Sequence, residues 1–86
     1  MDVQEVFALY ELRKAIEIAG VQLAVSRASD EAIAAVAAFL GDTGPEPGDR
    51  SIAALVDLDE SFHERVLALS GNVEMLRVLR NINARI

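Results

Sequence analysis

A chain of 86 residues and 9.3 kDa holds one small domain at most. It is 52% hydrophobic with a mean hydropathy of +0.28. A domain this short buries only roughly 60% of its unfolded surface, so part of the apolar surface is expected to face a homodimer partner or further helices. A net charge of −6 and eight scattered Lys and Arg exclude a basic patch for nucleic acid, and zero Cys excludes disulfides and thiolate metal sites. The lack of Cys also fits a reducing, cytoplasmic setting. No apolar run approaches the roughly 20 residues of a membrane span, and the acidic Met1-Asp2 start carries no signal peptide.

The first helix is predicted over residues 2–27. Asp2 opens it and Glu5 follows three residues later, as in a capping box. Leu9, Leu12, Ile16, Ala19 and Leu23 form its apolar stripe, widened by Val6, Phe7, Tyr10 and Val21. Such a helix is nearly 40 Å long, at about 1.5 Å per residue. Ser29 caps a second helix over 30–40, with Asp30 and Glu31 favoured by the dipole in its first turn. Ile33, Val36, Ala37 and Leu40 are its expected buried side, and Gly41 its stop. From Gly41 to Asp49 the chain holds both prolines and three of the five glycines, which reads as a loop.

Asp49 or Ser51 opens a third helix, predicted over 50–69. Ile52, Leu55, Val56, Phe62 and Val66 form its apolar stripe, and Asp59 and His63 fall inside that stripe. Asp57, Glu60, Ser61 and Glu64 take the other face, where charge is expected. A carboxylate on a core stripe is costly unless something satisfies it. An Asp and the chain's only His, four residues apart and pointing the same way, can hold a divalent metal with further ligands from another helix. The alternative is a local ion pair or a hydrogen-bonded His. Ser70-Gly71 stops this helix, and Asn72 caps a fourth over 72–85 carrying Val73, Met75, Leu76, Val78, Leu79 and Ile82. That pattern runs to Ile86 without a stop signal, the expectation for a truncated chain. The fold class is all-α, an antiparallel bundle of four helices.

Leu9-Tyr10-Glu11-Leu12-Arg13-Lys14-Ala15-Ile16-Glu17, Asp59-Glu60-Ser61-Phe62-His63 and Gly71-Asn72 occur in that order. Together they resemble the "LYxxRxxxE", "DxxFH" and "GN" motifs of the FCD domain, the effector-binding and dimerising half of FadR-type regulators in the GntR transcription-factor family. The resemblance covers essentially the whole chain, residues 1–86. It implies the first four helices of a bundle of six or seven around a buried pocket, lacking the DNA-binding winged helix, so that DNA is reached only through a domain outside this chain. It implies a divalent metal of the Zn, Ni or Mn type, held by Asp59, His63 and two later His. This chain has no other His. The site here is therefore expected to be half a site that holds metal poorly, since such sites need three or four ligands.

Arg13 matches the arginine that suits small organic-acid effectors in the family. A guanidinium fork fits a carboxylate, while the plainer reading of Arg13 is an ion pair with Glu17. Tyr10, one turn away, either borders the same pocket or, on the plainer reading, is packed, and Asn72 is expected to serve as a helix cap alone. The function expected is that of an effector-sensing and dimerisation module with no enzymatic activity. Two other readings stand beside it: a structural association bundle with an Asp59–His63 ion pair, and a fragment of a metalloenzyme. Against the last, no second carboxylate–His pair and no nucleophile with a base are visible.

Overall fold

Each helix starts where a short polar side chain can take up a free backbone N–H. In a computed structural model, which describes residues 1–43 and 51–86, Asp2 accepts from the Glu5 N–H at 2.7 Å and leads into α1, Val3–Arg27. Ser29 Oγ accepts from the Ala32 N–H at 3.1 Å ahead of α2, Asp30–Thr43. Ser51 does the same for Ala54 at 3.1 Å and opens α3, Ile52–Ala68. Asn72 Oδ1 accepts from both Glu74 and Met75 and opens α4, Val73–Arg85. Gly71 takes up a φ of +70° between α3 and α4, a left-handed conformation that costs glycine nothing. The described residues are all-α, and the four helices fall where the periodicity places them.

One boundary differs. The second helix does not stop at Gly41 but continues through it to Thr43. Gly41 lacks the positive φ of a glycine stop, and a glycine inside a helix costs only about 1 kcal/mol. Most of the expected loop, residues 44–50, lies outside the described residues, as does the alternative start at Asp49.

Arg13 faces Asp59, Glu17 faces His63 and Gly20 faces Leu67, so α1 and α3 run in the same direction, side by side. The α4 helix runs against both: Arg85 at its end pairs with Glu5 near the start of α1, and Arg80 pairs with Glu64 of α3. These three helices pack on one another, and the core lies between them in Leu9, Ala24, Leu67, Leu79 and Ile82. Each of the large side chains there contributes roughly 1.5–3 kcal/mol by burial. Among the described residues α2 packs only on α3, where the Arg65 guanidinium lies 3.9 Å from the centre of the Phe39 ring. The molecule is a slab of 41 × 35 × 15 Å. Its thickness accommodates two helix layers at the usual spacing of about 8–10 Å.

The slab is too thin to cover all four apolar stripes. Leu12, Ile33, Leu40, Leu55 and Val56 are exposed despite their stripe positions, and Ile52 is 81% exposed. The expected buried side of α2 buries nothing fully. It lines an apolar cleft of ≈ 330 Å³ with Val21 and Val25 of α1 and Phe62 of α3. The polar face expected on α3 is half covered instead, because α4 lies against Ser61 and Glu64.

Candidate functional site

The close approach of α1 to α3 positions the site. Gly20 is buried, and a Cβ there would overlap the side chain of Leu67, itself 1% exposed. With the helices this close and parallel, residues one and two turns toward the N-terminus from Gly20 meet their counterparts on α3. Arg13, Glu17, Asp59 and His63 come together in this way.

His63 is held at both ring edges. Its Nδ1 lies 2.7 Å from Glu17 Oε1, and its Nε2 lies 3.3 Å from Asp59 Oδ1. The Phe62 ring stands edge-on to it, with centroids 5.6 Å apart. Arg13 closes the cluster, with Nε 3.3 Å from Glu17 Oε1 and Nη2 3.7 Å from Asp59 Oδ2. One guanidinium thus faces two carboxylates, with an imidazole between them.

Asp59 corrects the sequence-based expectation. Its side chain is 60% exposed, against 31% for His63, 24% for Glu17 and 14% for Arg13. It does not lie in the core but is largely open to solvent. Burial along α3 grows toward its C-terminal half, where Gly20 admits Leu67 and where α4 crosses, and Asp59 precedes that half. Arg13 is the best-covered member and is paired with Glu17 as the plainer reading expects. It also reaches Asp59 on the other helix, which the sequence did not indicate.

The cleft beside these four residues has a volume of ≈ 460 Å³ and is lined by Tyr10, Arg13, Lys14, Glu17, Ile18 and His63. Tyr10 is 47% exposed on its wall, bordering the recess and not packed as its plainer reading had it. A second, apolar cleft of ≈ 430 Å³ shares Glu17, Ile18 and His63 with the first and continues along Val21, Phe62 and Val66. A charged recess therefore opens into an apolar groove, with His63 at their junction.

Asp59 Oδ1 and His63 Nε2 sit side by side, as two ligands of one ion do, and the remaining His63 nitrogen is taken by a carboxylate. The donor chemistry fits part of a divalent metal's shell. It does not complete one: among the described residues no group of three or more His, Cys, Asp or Glu is arranged to hold a metal ion. Glu17 is the site residue that sequence reasoning assigned only to Arg13. Its signal was its place at the end of the first-helix motif, four residues after Arg13. No described helix is long and apolar enough to cross a membrane.

Three comparisons bear on this geometry. The profile of the FCD domain family matches residues 8–86. The chain is similar to the Nta operon transcriptional regulator of Aminobacter aminovorans, with 41% identity over 86 residues. The match covers 100% of this chain but 40% of that regulator, so the chain spans less than half the length of the relative. No solved structure matches the chain.

Proposed function

We propose a function from one premise: the chain belongs to the FCD domain family. It serves as the effector-sensing and dimerising part of a GntR/FadR-type transcriptional regulator, and it takes a small organic acid beside a divalent metal. The family is one of transcription-regulator domains, and the relative is itself named as a regulator. Control of DNA binding comes to this chain through that relation. The reading places it in the cytoplasm.

The observation that carries the proposal is the cluster between α1 and α3, in which Arg13 reaches both Glu17 and Asp59 at the mouth of a cleft. Asp59 and His63 would hold the metal, which when bound supplies positive charge beside the cleft. Arg13 would hold the effector carboxylate with its planar fork of donors. An arriving carboxylate competes with Glu17 and Asp59 for that fork. Because the Arg13–Asp59 pair joins α1 to α3, the competition changes the tie between the two helices. An acid that binds one arrangement better shifts the population toward it, which is how a sensing domain couples to whatever is attached to it.

A second reading is a purely structural tie. The direct His63–Asp59 and His63–Glu17 contacts and the incomplete donor set favour it. The two readings separate in a protein that carries this chain at the full length of its relative. Elemental analysis is expected to find divalent metal in the unaltered protein, with most of it lost in His63→Ala. Calorimetric titration with small organic acids is expected to show Arg13→Ala weakened about tenfold or more, since a hydrogen bond to a charged group is removed, with its metal retained. Metal-free protein whose stability alone responds to His63→Ala establishes the structural tie instead.

A further inference from the structure

The geometry points to Glu17 as a positioning residue: it accepts the Nδ1 proton of His63, fixes the ring's tautomer and turns the Nε2 lone pair toward Asp59. This rests on the reading of Asp59 and His63 as metal ligands for its purpose, though not for its geometry.

A neutral imidazole carries one proton, and two carboxylates compete for it here. Glu17 Oε1 is the nearer carboxylate oxygen, 2.7 Å from Nδ1. Asp59 Oδ1 is 3.3 Å from Nε2, beyond the usual range for such bonds. The Glu17 side chain is also the better covered of the two, 24% exposed against 60%, so its bond is less screened by solvent. The proton therefore goes to Nδ1. In the neutral ring Nε2 then presents its lone pair beside a carboxylate oxygen, the donor pair that a cation would share. A His that ligates a metal almost always donates its other N–H to such an acceptor, which fixes the tautomer and raises the basicity of the ligating nitrogen.

Glu17 is itself held in place. Its Oε1 also receives Arg13 Nε at 3.3 Å, and it lies on the helix whose approach to α3 Gly20 permits. Arg13 thus touches Asp59 directly and His63 through Glu17. The residue four places after Arg13 in the first-helix motif thereby gains a role beyond a local ion pair.

The test exploits the presence of a single His in 86 residues. Long-range proton–nitrogen correlation spectra of the nitrogen-15-labelled chain, in alkaline buffer, report which ring nitrogen carries the proton. The expected result is an Nδ1–H tautomer in the unaltered chain. It is retained in Glu17→Gln, whose amide oxygen still accepts, and replaced by Nε2–H in Glu17→Ala. An Nε2–H tautomer in the unaltered chain overturns the inference without any variant having to fold, and so does an unchanged Nδ1–H tautomer in Glu17→Ala.

Zinc titration followed on the same signals separates this inference from the metal reading. Zinc that shifts Nε2 while Nδ1 keeps its proton supports both. Zinc that binds through Nδ1 overturns the role of Glu17 and leaves the metal reading standing. No response to zinc, in this chain or in the full-length protein, with the Nδ1–H tautomer observed, removes the metal and leaves Glu17 as the orienting acceptor. In the full-length protein Glu17→Ala is expected to weaken zinc binding about 10–100-fold, the usual effect of losing a ligand's supporting acceptor. Glu17→Gln is expected to restore most of that loss.

Discussion

Asn72 shows how much one side chain can do at a helix end. Its Oδ1 takes two backbone N–H groups at once, while its own N–H donates to Ser70 Oγ at 3.1 Å. Asn72→Ala is expected to lower stability by about 1 kcal/mol, read as a lower midpoint in thermal or urea unfolding with the helical content of the folded state unchanged. An unshifted midpoint refutes the capping role. Caps of this kind were legible in the sequence because they act over two or three residues. The pairing of Asp59 with His63 was legible for the same reason, being one turn apart on one helix. The link from His63 to Glu17 spans two helices, and no local pattern encodes their offset. Exposure of Asp59 was illegible too: periodicity gives a residue's direction on its helix but not whether another helix covers it.

At the scale of elements, two contacts set how α1 meets its neighbours. Gly20 lets α1 lie against Leu67, and Arg27 Nη1 donates to the Ser70 carbonyl at 3.0 Å, tying the end of α1 to the junction of α3 and α4. Gly20→Ala gains roughly 1 kcal/mol in helix propensity but forces a fully buried leucine to move, which typically costs about 1–3 kcal/mol. The expected outcome is a net loss of stability of about 1 kcal/mol, together with a weakened His63–Glu17 contact. Stabilisation on this substitution contradicts the packing described. Arg27→Ala leaves the carbonyl of the fully buried Ser70 without its donor. About 1 kcal/mol of destabilisation is expected in urea unfolding, while Arg77→Ala, which removes only an exposed pair with Glu74, is expected to change little. The helices themselves were readable from apolar spacing and caps. Their parallel and antiparallel neighbours were not, since nothing local to Gly20 or Arg27 marks which helix each meets.

Over the whole molecule, the imbalance between apolar content and burial is the dominant fact. Five hydrophobic residues are buried in the described core, while Phe7, Ile18, Val25, Ile33 and Ile52 are each at least 45% exposed. Composition announced the excess before the fold was known, but not that the helices form a slab with clefts on its faces. Such a surface is expected to associate. Light scattering on the 86-residue chain should give a mass above that of the 9.3 kDa monomer, rising with concentration. A monomer mass at every concentration contradicts it.

The central claim, that Asp59 and His63 of α3 are ligands of one metal ion with Glu17 of α1 behind the His63 ring, is tested most directly by anomalous X-ray scattering. The crystals should be of a protein carrying this chain at the full length of its relative, grown with a divalent transition metal. The account predicts a peak about 2.0–2.2 Å from both Asp59 Oδ1 and His63 Nε2, with Glu17 still on Nδ1. A peak elsewhere, or none, with Asp59 and His63 in direct contact, contradicts it.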